Sequence, residues 1–187
     1  MNRLPAVWGA TSDEVLRDYP ADRLLHGRTA AMTRAVAVDA PQPLSWRWLC
    51  QISVAPYSYD LLDNRGRRSP RELTPGADDL YVGKLMMIFE ITSFEPGRHW
   101  TGVTTPAAAR LFGPVAVTYA AEPGCLDGPG GQASRMVCRL VSGVEGPVAR
   151  LRAPLLAWGD LVMMRKELLT LKKLAERDAR RSRPPLA

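Results

Sequence analysis

A cluster of aromatic side chains in the first third of the chain is the clearest candidate for a binding surface. Trp46 and Trp48 are separated by one residue, and Tyr57 and Tyr59 follow with the same spacing. A tyrosine supplies a ring for packing and a hydroxyl that orients a polar ligand atom. We therefore expect the two tyrosines either at the mouth of a pocket or as caps on the core, and the two tryptophans as packing residues that hold short helices in place.

A general base is the second kind of chemistry that the residue types allow. His99 is one of two histidines, and Asp60, Glu90 or Glu95 could supply the carboxylate that orients a catalytic imidazole. Because no partner is defined, an exposed histidine in a hairpin is the simpler interpretation. Catalytic residues are therefore unassigned, with His99, Asp60 and Tyr59 as the candidates.

Motifs for nucleophilic or cofactor chemistry are missing from the sequence. It contains no Ser-His-Asp arrangement, phosphate-binding loop or dinucleotide-binding glycine pattern, and Cys50, Cys125 and Cys138 lack the spacing of metal ligands. An odd number of cysteines favours reduced thiols in a cytoplasmic protein. We therefore predict no cofactor, no metal site and a cytoplasmic location.

The densest local charge is a run of four arginines, Arg65, Arg67, Arg68 and Arg71. Their guanidinium groups could bind a phosphate or an acidic partner surface, with Arg67 and Arg68 as the candidate anion-binding residues. The alternative is a solvated loop. With the arginines of residues 177–183, the run could make weak contact with an anionic membrane. Nucleic acid is the less favoured partner, because neither run has interleaved aromatic residues that stack on bases.

The bulk composition is that of a single folded domain. The chain has 187 residues, of which 46% are hydrophobic, and a formal net charge of +6. This length predicts one domain, and this hydrophobic content excludes a disordered chain. No apolar run approaches the roughly 20 residues of a membrane span. The N-terminus lacks the apolar core of a secretory signal.

The strongest structural signal is a long helix, predicted from Pro154 to about Arg180. The residues on its apolar face recur at three- and four-residue spacing: Leu161, Met164, Leu168, Leu171 and Ala175, with Leu155, Trp158, Val162 and Leu169 expected to widen that face. A helix this long needs a long apolar surface to lie against. Because strands precede it, we expect that surface to be a sheet, and a cavity can form between the two.

Upstream of this helix, the pattern predicts one strand, then short helices and loops, then a meander of strands. The first strand is predicted from Arg28 to Val38, and a helix with a capping box is predicted to begin at residues 69–72. Residues 87–92 alternate in polarity before a hairpin turn at residues 95–97, with residues 98–105 as the partner strand. Runs of strands followed by a helix predict the α+β class.

Two later strands are predicted to be amphipathic. Val115, Val117 and Tyr119 lie on one face of the first of them. In the second, Met136, Cys138 and Leu140 share one face, and Arg135 and Arg139 are expected to point into water.

Six local strings carry a resemblance to a known superfamily: residues 48–51 (WLCQ), 55–60 (APYSYD), 64–73 (NRGRRSPREL), 93–97 (SFEPG), 117–119 (VTY) and 159–165 (GDLVMMR). With the element order, they resemble the START-like or SRPBCC superfamily of polyketide cyclases and lipid-transfer domains, and more closely its bacterial members of unassigned function. The resemblance spans about residues 30–178. It implies a helix-grip fold, in which a curved antiparallel sheet wraps around the C-terminal helix, with two short helices after the first strand. The expected organisation is an extension over residues 1–28, the START-like domain over 29–180 and a disordered basic tail over 181–187.

Three functions follow as alternatives. The first is binding or transport of a small hydrophobic or amphiphilic ligand in a cavity between sheet and helix. An acidic amphiphile would place its body there and its head at Arg67 or Arg68. The expected ligand-binding residues are Tyr57, Tyr59, Met87, Phe89, Ile91, Val117, Tyr119, Met136, Cys138, Leu140, Leu161, Met164 and Leu168.

The second alternative is a polyketide aromatase or cyclase-like enzyme acting on an enolisable substrate. It requires a convergent acid–base pair inside the cavity. The third is an interaction protein that uses the arginine run of residues 65–71, called the basic loop below. Because the sequence defines no convergent acid–base pair, it favours ligand binding over catalysis.

Overall fold

The structure is a computed structural model that describes residues 3–59, 66–124 and 133–182, and for residues 147–153 the helical backbone alone. Over these residues the chain forms one sheet and four α-helices, which confirms the predicted α+β class. The elements in chain order are β1 (Val7–Trp8), α1 (Ser12–Leu16), β2 (Thr29–Val38), α2 (Gln42–Cys50), β3 (Leu85–Met86), β4 (Phe89–Glu95), β5 (His99–Thr104), α3 (Pro106–Phe112), β6 (Val115–Pro123), β7 (Ser134–Gly143) and α4 (Gly146–Ser182).

The sheet has seven strands in the order β1-β2-β7-β6-β5-β4-β3. Every pair is antiparallel except β1 and β2, which are parallel. After β2 the chain crosses to the far edge and returns strand by strand, so that β7 pairs with β2 from Thr29↔Gly143 to Val38↔Ser134. The sheet therefore curves around α4 in the helix-grip arrangement.

The long helix presents a narrower apolar face to the sheet than predicted. Its predicted core residues are buried, and Leu168 and Leu171 are completely inaccessible. The prediction that four more apolar residues widen this buried face was wrong, because they are exposed: Leu155, Trp158, Val162 and Leu169. Of these, Leu155 lines the cavity described below. The helix also begins at Gly146, so Pro154 lies inside it and is not its first residue.

The main core lies between the inner face of the sheet, α2 and α4. Trp46 and Trp48 of α2 are buried in it. Trp100 of β5 is also buried there, and its ring stacks on Tyr119 of β6, with the ring centroids 4.6 Å apart. These large rings join α2 to the sheet, so the tryptophans act as packing residues.

Residues 3–28 cover the outer face of the sheet. Val7, Ala10 and Tyr19 pack against Ala35, Ala120 and Val137 of the central strands. The prediction that Arg135 and Arg139 face water was therefore wrong, because this segment brings acidic partners to them. Arg135 donates from Nε and Nη2 to the two carboxylate oxygens of Glu14, at 2.7 and 2.6 Å, and Arg139 Nε donates to Asp22 Oδ1 at 2.9 Å.

Three local predictions also differ from the structure. Residues 69–72 are not helical, and Ser69 Oγ accepts a hydrogen bond from the backbone N–H of Tyr57 instead of capping a helix. Helix α3 was not predicted, although Pro106 at its first position and the capping hydroxyl of Thr105 are ordinary start signals. Met87 lies in the turn between β3 and β4 with φ of 57°, so the strand starts at Phe89. In the described ranges, no helix combines the length and the apolarity that crossing a membrane requires.

Candidate functional site

A cavity of about 1150 Å³ lies between residues 154–167 of α4 and the inner face of the sheet. Small residues leave this space open: Ala30 and Ala31 lie near the start of β2, and Ser142 and Gly143 end the neighbouring strand β7, with Ser142 opposite Ala30. The larger apolar residues of the wall are Met32, Ile52, Ile88, Phe89, Val115, Leu140, Met163 and Met164.

The cavity is open to solvent on the side of α3, the β3–β4 turn and the first half of α4, and its lining residues Ala30 and Ala31 of β2 are exposed as well. Four lining residues at this opening are exposed although they are large and apolar: Met87, Phe112, Leu155 and Leu156. An apolar opening that continues into an apolar interior suits a molecule with a hydrophobic body.

One polar group on the cavity wall is an ion pair between β2 and α4. Arg34 is completely buried, and its Nη2 donates to Asp160 Oδ2 at 3.1 Å. The Asp160 side chain lines the cavity and keeps 22% of its surface exposed. Burial raises the pKa of Asp160 to about 6, although the charge and hydrogen bond of Arg34 act in the opposite direction. At neutral pH, Asp160 is therefore a carboxylate held in an environment that opposes its charge.

The second polar group joins β6 to α4. The Tyr119 hydroxyl donates to Glu167 Oε1 at 2.7 Å, and both residues are buried and line the cavity. Burial, followed by the charge of Glu167, raises the pKa of Tyr119 well above its ordinary value. The phenol therefore keeps its proton over the physiological range of pH and acts as a hydrogen-bond donor. Burial also raises the pKa of the neighbouring Cys138 thiol, which stays protonated and unreactive.

Some of the residues expected to bind ligand line the cavity, and others lie in the packed core. The former are Met87, Phe89, Tyr119, Leu140 and Met164. The following residues are buried but are not part of the lining: Tyr57, Ile91, Val117, Met136, Cys138, Leu161 and Leu168. Except for Leu161, these residues belong to the main core, where side chains from the sheet, α2 and α4 pack together.

The tyrosine cluster is divided by the fold. Tyr57 packs edge-on to Trp48, with centroids 6.0 Å apart, and is a core residue. Tyr59 is exposed and does not line the cavity, whereas Ser58 between them does.

The other predicted site residues that the structure describes lie away from the cavity lining. His99 is on the β4–β5 hairpin with Nδ1 3.9 Å from Glu95 Oε2, and burial lowers its pKa. Arg67 and Arg68 are exposed. Asp60 and Arg65 fall outside the described residues.

Sequence reasoning missed Arg34, Asp160 and Glu167. A signal for the two acids was present, because Asp160, Met164, Glu167 and Leu171 repeat at three- and four-residue spacing and so share a helix face. An acid within an apolar face at this spacing points toward the core. Nothing in the sequence of β2 indicates a partner for Arg34. Within residues 3–59, 66–124 and 133–182, no group of His, Cys, Asp and Glu could hold a metal ion.

The comparisons with known proteins found similarity to solved structures only. No family model and no curated protein matches the sequence. Among solved structures, the chain is similar to protein MLL2253 from Mesorhizobium loti, with 16% identity, a TM-score of 0.46 and coverage of 80% of this chain and 98% of that one. It is similar to norcoclaurine synthase from Thalictrum flavum, solved with dopamine and hydroxybenzaldehyde, with 14% identity, a TM-score of 0.47 and coverage of 82% and 95%. It is also similar to EF2215 from Enterococcus faecalis, a conserved protein of unknown function, with 11% identity, a TM-score of 0.39 and coverage of 86% and 78%.

Proposed function

We propose that this protein binds a small, largely apolar molecule in the cavity between α4 and the sheet. The observation that carries the proposal is the cavity itself: about 1150 Å³, walled mainly by aliphatic, methionine and aromatic side chains. Ligand sites in proteins typically occupy about 300–1,000 Å³ and have apolar walls with a few polar groups. Transferring an apolar body into such a space is favourable by about 25 cal/mol for each Å² removed from water.

The helix-grip arrangement supports membership of the START-like or SRPBCC superfamily, which we also propose. The cytoplasmic location stays a prediction. The basic loop stays a candidate surface for anions or acidic partners, separate from the cavity, since Arg67 and Arg68 do not line it.

Filling the cavity tests the binding proposal. Ala157 of α4 lines the cavity, and Ala107 of α3 is exposed and does not. Ala157→Trp should weaken binding of an environment-sensitive apolar dye about tenfold or more, whereas Ala107→Trp should leave its affinity within about threefold of wild type. Fluorescence titration measures both. Equal dye binding by wild type and Ala157→Trp, or none by wild type, would contradict the proposal. Native mass spectrometry of freshly purified protein would identify a co-purifying ligand.

A cyclase-like enzyme is the second candidate, and the acid–base groups on the cavity wall favour it. Asp160, with its pKa raised to about 6, is a stronger base than an ordinary carboxylate, and Tyr119 supplies a proton-bearing hydroxyl on the same wall. Asp160 would take a proton from the carbon beside a ketone, leaving an enolate, and return it.

Deuterium incorporation into an enolisable ketone such as 2-tetralone, followed by NMR in D₂O, tests this candidate. Wild type should accelerate the exchange over buffer, and Asp160→Asn should reduce the acceleration at least about tenfold. Exchange at the buffer rate with wild type, under conditions where the ketone binds, would leave binding as the function.

A further inference from the structure

Among the described residues, the charged side chains on the cavity wall are carboxylates, with His26 as a further ionisable group. The lining residues include the acids Glu145, Asp160 and Glu167, and among the described residues no lysine or arginine lines the cavity. The guanidinium of Arg34 lies behind Asp160, fully buried, where it also donates from Nη1 to the carbonyl of Ala6 at 2.7 Å. Within the described residues, a ligand in the cavity therefore meets carboxylates and, apart from His26, no basic side chain.

Asp160 presents an open acceptor to this space. Its Oδ2 accepts the hydrogen bond from Arg34, and within the described parts of the chain no group donates to its Oδ1. The side chain is 22% exposed, and the residue lines the cavity, so a molecule inside can reach the carboxylate. A buried acceptor gains most from a donor that also carries positive charge.

We infer that the ligand of this cavity is an apolar molecule that carries a protonated amine, with Asp160 as its counter-ion. This inference rests on the proposed function and assigns its ligand class. Arg34 holds Asp160 through Oδ2, so Oδ1 remains the acceptor for a ligand. An ammonium group beside Asp160 is attracted by this carboxylate, and the attraction is stronger than in water because the local dielectric constant is low. A carboxylate head in the same position is repelled.

Three probes that share a phenylbutyl group and differ in the head group separate the contribution of the head group to affinity. They are 4-phenylbutylamine, 4-phenylbutanol and 4-phenylbutyrate, titrated calorimetrically at pH 7.5. We expect the amine to bind at least about tenfold more tightly than the alcohol, and the carboxylate to bind most weakly. An alcohol that binds as tightly as the amine, or a carboxylate that binds most tightly, would overturn the ligand class and leave the proposed function intact. Failure of all three probes and of the apolar dye would overturn both.

A matched pair of variants tests whether Asp160 causes the preference for the amine over the alcohol. Asp160→Asn should bring the affinities of the amine and the alcohol within about threefold of each other. Asp13→Asn makes the same change at an exposed acid outside the cavity and should keep the wild-type preference for the amine. An amine preference that survives in folded Asp160→Asn would overturn the role of Asp160. If that variant does not fold, the ranking of the three probes in wild type still decides the ligand class.

Discussion

Asp160 is the residue whose charge is least compatible with its surroundings in the fold. Its carboxylate faces an apolar cavity, and its ion pair with Arg34 does not fully compensate its burial, so its pKa rises to about 6. Groups with such perturbed pKa values concentrate at functional sites, because a site needs chemistry that the rest of the fold avoids. Tyr119 and Glu167, on the same wall, satisfy one another with a 2.7 Å hydrogen bond. Asp160 is therefore the group most available to a ligand.

The raised pKa makes a prediction about stability and pH. Folded Asp160 holds its proton up to about pH 6, whereas the unfolded chain releases it near 3.8. Between these values the folded state binds more protons, so the contribution of Asp160 is fully present below about pH 4 and is lost as pH rises through 6. From pH 4 to 7, wild type should lose about 2–3 kcal/mol of unfolding free energy relative to Asp160→Asn.

Urea unfolding at a series of pH values measures this difference. Asp13→Asn is the control, because it removes an exposed carboxylate and should follow the pH profile of wild type. If wild type and Asp160→Asn have parallel profiles from pH 4 to 7, the raised pKa is contradicted.

At the scale of the element, α4 combines two functions on one face. Its second half supplies fully buried apolar residues, Leu168 and Leu171, to the core. Its first half faces the cavity with Asp160, Met163 and Met164, and carries exposed apolar residues at the opening. The helix is therefore anchored at one end and presents the candidate site at the other.

Two adjacent leucines test which face of α4 is buried. Leu168 is fully buried in the core, and Leu169 beside it is 40% exposed. Leu168→Ala should lower the free energy of unfolding by about 2–5 kcal/mol, because it removes buried methyl groups and leaves a cavity. Leu169→Ala should lower it by less than about 1 kcal/mol. Chemical denaturation measures both, and equal losses would mean that the helix is rotated from its assigned orientation.

At the scale of the whole molecule, residues 3–28 bind the outer face of the sheet and also reach the cavity. Pro5, Ala6 and His26 line the cavity, whereas Glu14 and Asp22 pair with arginines of β7 on the opposite face. Burial opposes ionisation of Glu14, but the hydrogen bonds from Arg135 and Thr11 outweigh it, so the pKa of Glu14 is lowered. The segment is thus part of the folded unit.

The Glu14–Arg135 pair measures how strongly this segment is held. Glu14→Gln should lower the free energy of unfolding by about 3 kcal/mol at pH 7, because it leaves a largely buried guanidinium without its counter-charge. This loss should shrink as the pH falls below about 4.5, where the unfolded chain protonates Glu14 and the folded pair then loses its charge. Asp18→Asn is the control, because its pair with Arg23 is exposed and should contribute less than about 1 kcal/mol. Equal effects of the two variants in thermal unfolding would contradict a structural role for the segment.

The sequence by itself determined what depends on local periodicity. Three- and four-residue spacing identified Leu161, Met164, Leu168 and Leu171 as buried, and two-residue alternation identified the inner face of β6 and β7. The order of elements along the chain predicted the α+β class, because a run of strands before a long helix has few compact arrangements. Each of these signals lies within one element, where the chain geometry alone sets the direction of a side chain.

The tertiary structure alone decided which faces have partners and where space is left. The pattern within β7 predicted that Arg135 and Arg139 face solvent, but residues 3–28 cover them and supply their acidic partners. Arg34 pairs with Asp160, which is 126 residues away in the chain. The cavity arose because small residues at the ends of β2 and β7 meet a helix that does not fill the space above them. Contacts and empty volume of this kind depend on distances between elements, and no pattern within a single element records those distances.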